Sequence, residues 1–374
     1  MTHRQHIVHV VYSFSIGGLE NVIVQLINRL PADKFKHTVL SLTTISDFKN
    51  PITQPDVQFI ELNKPPGHAI PLYPKIFKLL RHLKPDVVHT CNLAALEIVP
   101  IAWLAGAPKR IHAEHGWDAH DPNGSNPRYR KLRKIYKPFV SHYVAVSKDL
   151  DQYLEHAISV PRNRRSLIAN GVDTDFFAPA NNTPSPVTGC PFIPRQHWIA
   201  GTVGRLQTVK NQPFLARAFV KLLKIHPEAT SRMRLAIVGD GPLRNEVEET
   251  LRLGNALQYA WLPGARNDIA DILRTLDCFV LPSQAEGTSC TLQEAMACGL
   301  PAIATAVGGT PALVEEGVTG NLIPADDEDS LAQALWLAYS SAEEFSKLGI
   351  TARQRAIAGF GLNGMIKQYE QLFS

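Results

Sequence analysis

Cys278-Phe-Val-Leu281, the loop Glu286-Gly-Thr-Ser-Cys-Thr-Leu-Gln-Glu294 and the run Ala295-Met-Ala-Cys-Gly299 read in succession as strand, loop and helix. The first run is short, continuous and apolar, as in a strand buried within a parallel sheet. The loop is glycine and small hydroxylated residues, and a helix starts directly after it. Backbone N–H groups of Gly287, Thr288, Ser289, Cys290 and Thr291 can then point at an anion, and the helix dipole favours its charge. Glu286 and Glu294 stand before and after the loop, as acceptors suited to sugar hydroxyls on either side of a pyrophosphate. Thr291-Leu-Gln-Glu294 is also a capping box, which starts a helix with no ligand at all. Taken alone, the stretch leaves both readings open.

The same alternation recurs outward from this junction. Strands are expected at 7–12, 37–42, 57–61, 86–90, 110–114, 143–146 and 166–169, with helices at 18–30, 72–83, 93–104, 128–140 and 148–156. Residues 178–197 hold five prolines and little periodicity, which reads as a linker. The pattern restarts at Trp198, with strands at 198–203, 234–238, 258–261, 278–281 and 302–304. Helices follow at 212–224, 243–253, 268–274, 291–298, 330–339, 342–349 and 362–373. The expected fold class is therefore α/β, with two doubly wound, Rossmann-like domains over 1–177 and 198–359. Two such domains imply a cleft between them, with ligands outside the carboxyl ends of the strands.

The 374 residues suffice for two domain cores. Five cysteines show no CxxC spacing, which fits buried, reduced thiols and a cytoplasmic location. The opening apolar run, Ile7 to Tyr12, is too short for a secretory signal or a membrane span. The net charge of +4 conceals an asymmetry: residues 1–180 carry 22 Lys and Arg against 15 Asp and Glu. Arg128-Tyr-Arg-Lys-Leu-Arg-Lys-Ile-Tyr-Lys137 alone supplies six cations in ten residues. As a helix it is either a solvated face or a basic amphipathic surface for anionic lipid or a diphosphate-bearing acceptor. Nucleic acid is not an expected partner, since no aromatic platforms interleave with the basic residues.

Further motifs fall at strand ends. Gly17-Gly18 follow the first strand, without G-x-G-x-x-G spacing, and leave a helix start open to phosphate or simply make a turn. Gly204-Arg205 and Lys210 follow the strand at 198–203; Arg suits bidentate phosphate contact and Lys a mobile point charge. Gly239-Asp240-Gly241 reads as a glycine turn on the nucleotide side, and His115-Gly116 follow the strand at 110–114. No HExxH, cysteine cluster or P-loop is present, so neither a metal nor a cofactor is expected.

In this order and spacing, Gly17-Gly18-Leu-Glu20, His115-Gly116, Asn170-Gly-Val-Asp173, Gly204-Arg205 with Lys210-Asn211, Val238-Gly-Asp-Gly-Pro242 and Glu286-x7-Glu294 resemble the retaining GT-B glycosyltransferases of family 4. The resemblance covers nearly the whole chain. It implies a nucleotide-sugar donor, UDP- or GDP-linked, held by the second domain, and a glycan or lipid-linked acceptor held by the first. It further implies Arg205 and Lys210 on the diphosphate, with Gly204, Gly239 and Asp240 beside the donor. Thr288 to Thr291 would add backbone amides, Glu294 would take the ribose, and Glu286 the donor sugar. Gly17 and Gly18 would approach the diphosphate, His115 would hydrogen-bond the sugar, and a final helix at 360–374 would return to the first domain. Contact with the inner membrane face through 128–137 would suit a lipid-linked acceptor. A sugar-nucleotide epimerase of the same architecture is the competing reading, a non-catalytic sugar-nucleotide binder is another, and a dehydrogenase lacks its fingerprint.

Overall fold

A computed structural model describes residues 3–15, 17–118, 121, 124–182 and 184–374; Thr183 of the expected linker lies outside the described residues. The chain divides into two compact units, Met1–Asn170 with Asn363–Ser374, and Gly171–Leu362. Seven strands build the first: β1 Gln5–Val11, β2 Phe35–Ser41, β3 Gln58–Glu61, β4 Val87–Cys91, β5 Lys109–Glu114, β6 His142–Ala145 and β7 Arg165–Leu167. They pair in parallel in the order β3-β2-β1-β4-β5-β6-β7. The second unit holds β8 Trp198–Val203, β9 Met233–Val238, β10 Ala260–Gly264, β11 Cys278–Leu281, β12 Ala302–Thr305 and β13 Gly320–Ile323. Their order is β10-β9-β8-β11-β12-β13, again parallel throughout. Each sheet reverses its winding once, between β1 and β4 and between β8 and β11. Crossovers there leave in opposite directions and open a crevice at the carboxyl ends of those strands.

Alternation along each strand feeds two core layers. On β8, Trp198 and Ala200 pack on one face, while Ile199 and Val203 pack on the other. On β1, Val8 and Val10 pack with Leu80 and Ile98, and His9 points to the opposite face. There the final helix, Leu362–Phe373, belongs to the first unit from Asn363 onward and sets Phe373 against His9 and His89. No helix among the described residues is long and apolar enough to cross a membrane.

Several boundaries differ from the sequence expectations. The helix expected over 93–104 is two, Asn92–Leu96 and Val99–Leu104, because Pro100 can sit only in a first turn. The basic helix stops at Tyr136, with Pro138 in a separate 3₁₀ turn. β10 begins later and runs through Pro263, which an edge strand tolerates. The short, weakly patterned β13 and the one-turn helix Thr310–Leu313 were not expected. The unit boundary falls at Asn170/Gly171, and the expected linker packs within the second unit, burying Val187 and Phe192 beside Val172.

Gly239 has φ +137°, and a Cβ there would strike the Gly204 carbonyl. Gly239→Ala should therefore cost roughly 1–3 kcal/mol from backbone strain alone. An unchanged midpoint in chemical denaturation would show that the Gly204 loop yields at no cost.

Candidate active site

The reversal between β8 and β11 sets two loops side by side. After β8 the chain passes Gly204 and Arg205 into a 3₁₀ turn, Thr208–Lys210, then turns left-handed at Asn211 (φ 51°) to start the helix Gln212–Ile225. Lys210 Nζ lies 2.6 Å from Glu286 Oε1, in the loop after β11. Ser283 Oγ donates to the same oxygen at 2.6 Å. Glu286 is 7% exposed, so its charge is held by these two groups rather than by bulk water. Glu286 Oε2 carries no hydrogen bond among the described residues. Gly308 (φ +49°) closes on the Glu286 carbonyl, where a Cβ would collide, and Gly309 N donates to that oxygen at 3.2 Å. Asn211 Nδ2 donates to Asp326 Oδ1 at 2.8 Å, and Gln284 Nε2 to the same carboxylate at 3.3 Å. Gln284 N also donates to the Val209 carbonyl, so backbone and side chains both tie the two loops.

Arg205 is exposed and makes no ion pair among the described residues, while its carbonyl accepts from Gln212 Nε2 at 3.2 Å. A free guanidinium thus stands in the same loop as a paired ammonium. Gly239 and Gly241 serve first as packing residues: side chains there would strike the carbonyls of Gly204 and Leu206. Asp240 turns inward on its own loop, accepting from Gly241 N at 2.7 Å.

The helix after β11 runs Cys290–Ala297, and its cap is Ser289, which accepts from Leu292 N at 3.3 Å. The expected capping box at Thr291 is therefore corrected: Thr291 lies inside the first turn, since Ser289 alone has the extended backbone a cap requires. Gly287, Thr288 and Ser289 are buried, with Cys290 and Thr291 partly exposed. Glu294 has no hydrogen-bond or ion-pair partner for its carboxylate among the described residues, and burial pushes its pKa up to about 8. At neutral pH it holds a proton until something stabilises its charge.

In the first unit, His115 follows β5, and its N–H donates to Asn92 Oδ1 at 2.7 Å. Burial and the neighbouring His112 lower its ring to about 4, so the imidazole is neutral at physiological pH. Gly17 is the N-cap of the helix Gly18–Arg29, and a Cβ there would meet the Glu20 carboxylate. That acidic group already occupies the approach to the helix start. Arg133 is the correction to the basic segment. It is 4% exposed and paired with Glu114 at 2.6 and 3.1 Å, so it faces the core and offers nothing to a lipid. Burial opposes ionisation of Glu114, but Arg133 and His112 hold its carboxyl well below the usual range. Lys131, Lys134 and Ile135 face outward and, with Pro127 and Arg130, line a shallow depression.

Ser283, Gln284 and Asp326 were missed by the sequence reading, which named Asn211 only as part of the Lys210-Asn211 motif and gave it no role. Only Asn211 carried a signal, since a left-handed Asn before a Pro-containing helix start is a common turn.

The sequence model described as glycosyl transferases group 1 matches residues 198–340, and that described as glycosyltransferase family 4 matches 16–176. The chain is similar to the UDP-Gal:α-D-GlcNAc-diphosphoundecaprenol α-1,3-galactosyltransferase of Escherichia coli, 27% identical over 98% of this chain and 96% of that one. Its fold is similar to Anabaena HepE, solved with UDP and glucose, at a TM-score of 0.82, 19% identity and 99% of both chains. It is also similar to the sucrose-phosphate synthase of Thermosynechococcus elongatus, at 0.83, 21% identity, 99% of this chain and 98% of that one. The fold is GT-B.

Glu294 generates a pH prediction. Its folded pKa of about 8 exceeds its ordinary 4.5, so between these values the unfolded chain releases a proton that the folded chain keeps. Stability from this group therefore falls as pH rises through that window. Relative to Glu294→Gln, the wild-type Tm should drop by roughly 3 °C or more from pH 5 to pH 8, about 1 kcal/mol for a domain of this size. Parallel Tm curves for the two proteins would refute it.

Proposed function

This chain belongs to the group 1, family 4 glycosyltransferases, and we propose that its transfer retains anomeric configuration, needs no metal and uses a UDP- or GDP-sugar with a glycan or lipid-linked acceptor. At the coarser level it is a glycosyltransferase that acts with nucleotide-sugar donors in glycoconjugate biosynthesis. The observation that carries the finer reading is the Lys210–Glu286–Ser283 cluster beside the unpaired Arg205. Arg205 and Lys210 supply two cations to a departing diphosphate, the task a metal would otherwise perform. Amides from Thr288 to Thr291 add partial positive charge at the same helix start. Lys210 and Ser283 orient Glu286 through Oε1, leaving Oε2 to accept from hydroxyls of the donor sugar. Glu294 gives up its proton as ribose hydroxyls replace lost solvation, and the neutral His115 serves the sugar as donor or acceptor.

Glu286 is held through Oε1 by a cation and a hydroxyl, and in this reading its Oε2 is engaged by donor-sugar hydroxyls rather than by the anomeric carbon. That supports attack on the face from which the diphosphate leaves, through an oxocarbenium-like state, with a diphosphate oxygen taking the acceptor's proton. The E. coli relative's name gives a UDP-linked donor and a diphosphate-lipid acceptor, and HepE holds UDP, which together favour UDP here. The outward face of the helix Pro127–Tyr136 suits an acceptor anchored in an anionic membrane.

Incubating the protein with a panel of UDP- and GDP-sugars and a lipid-diphosphate acceptor tests the assignment. One donor should be consumed with an α-configured product, unaffected by chelator. Arg205→Ala and Glu286→Ala should each lower kcat/KM by about 10²–10³. Inverted product, or an epimerised donor with the acceptor untouched, would overturn the retaining reading. For the membrane contact, Lys131→Glu combined with Lys134→Glu should weaken binding to anionic vesicles by at least ~10-fold, at about 1 kcal/mol per cation. Equal binding of that variant and the wild type would remove the basic helix from the acceptor's route.

A further inference from the structure

β4 and the end of β5 bring together three side chains able to ligate a metal, two of them neighbours on β4 and the third remote from them in sequence. His89 and Cys91 are two residues apart on β4 and so share a face of the sheet. Cys91 is in register with Ala113 on β5, and His115, two residues further, falls on that same face. The ligating atoms of His89, Cys91 and His115 all lie within 4.8 Å of one another. His89 Nε2 and Cys91 Sγ are 3.8 Å apart. Nitrogen and sulfur bound to one tetrahedral zinc, at about 2.05 and 2.3 Å, would be separated by about 3.6 Å.

Two further observations point to a ligand. Both ring nitrogens of His115 are buried without a well-formed hydrogen bond, with only the Asn170 side chain close enough to bear on the ring, a cost that an occupant would relieve. His89 also has, on its other ring nitrogen, the hydrogen-bond partner that orients metal-binding histidines. Its Nδ1 lies 3.0 Å from His9 Nδ1, and His9 Nε2 lies 3.1 Å from His37 Nδ1. When His89 donates along this chain, His9 passes its own N–H on to His37, and the His89 Nε2 lone pair faces Cys91. The rings of Tyr369 and Phe373 pack against His89 and fix its plane. Around the cluster, Glu114 is paired with Arg133, and the Glu20 carboxylate bears electrostatically on Cys91.

We propose that His89, Cys91 and His115 form a two-nitrogen, one-sulfur site for Zn²⁺ or a similarly thiophilic divalent ion, with its fourth position open. Cys91 ligates as the thiolate and releases its proton to solvent; no electron is transferred. The site is distinct from the diphosphate cluster and is not needed for transfer. Because His115 is also assigned to the donor sugar, an occupied site withdraws that ring from the substrate. This inhibitory consequence rests on the transferase reading, whereas metal binding does not.

The test titrates chelator-stripped, reduced full-length protein with Co²⁺ and follows its absorption. One equivalent should give tetrahedral d–d bands with a thiolate-to-cobalt charge-transfer band, both erased by one equivalent of Zn²⁺. Cys91→Ala should lose the charge-transfer band and bind Zn²⁺ at least about tenfold more weakly, with unchanged circular dichroism. Cys91→Ser, which keeps a polar atom, guards against a packing effect and should behave likewise. An octahedral spectrum, or a charge-transfer band that survives in both variants, would assign the ion elsewhere and overturn the site. If no sugar donor is turned over, the transferase reading fails, and the cobalt spectrum still decides this one.

Discussion

The Lys210–Glu286 ion pair is the contact on which the second unit's site depends. Each partner belongs to a different loop, and the loops are neighbours only because β8 and β11 are adjacent where the sheet reverses. Desolvating two charges costs several kcal/mol, and their attraction repays that only when the remaining polar atoms are satisfied. Ser283 meets that condition at Glu286 Oε1, and Gly308 allows the backbone of the following loop to close on Glu286. Such a pair contributes little net stability. What it secures is a fixed position for an acceptor oxygen beside a cation, in a loop that would otherwise be free to move.

Around that pair, side chains and close-packed glycines tie the neighbouring loops of the second unit together. Asn211 in the left-handed region, Asp326 in the same region, and Gln284 connect the loops after β8, β11 and β13. Glycines 239 and 241 let the β9 loop press against the Gly204 turn. Glu294, one turn beyond the Ser289 cap, has no partner for its carboxylate among the described residues, and burial raises its pKa.

The first unit solves a different problem, since its sheet carries histidines where aliphatic residues would be ordinary. His9, His37 and His89 lie in one buried hydrogen-bonded row, and burial holds His37 at about 4 and His89 at about 3. Neutral imidazoles can be buried at modest cost because each supplies one donor and one acceptor. Next to this row, Arg133 and Glu114 form a second buried polar contact that fastens the basic helix to the sheet. The same helix therefore has an inner cation that is structural and outer cations that remain available.

Periodicity determined much of this protein from the sequence alone. The alternation of apolar strands and amphipathic helices, broken by glycine at strand ends, specifies two doubly wound units, because both signals arise from local chain geometry. Six strand-end motifs, from Gly17-Gly18 to Glu286-x7-Glu294, likewise carried the resemblance to the family, which implied the chemical class of ligand. Tertiary structure decided what local patterns do not encode. It set which cation of the basic helix is buried, that Ser289 rather than Thr291 caps the site helix, and that Ser283 holds Glu286. Strand register alone brought His115 to His89 and Cys91, 24 to 26 residues earlier in the chain. Such contacts join residues remote in sequence, and their energies depend on burial and partner geometry, which exist only once the sheets have formed.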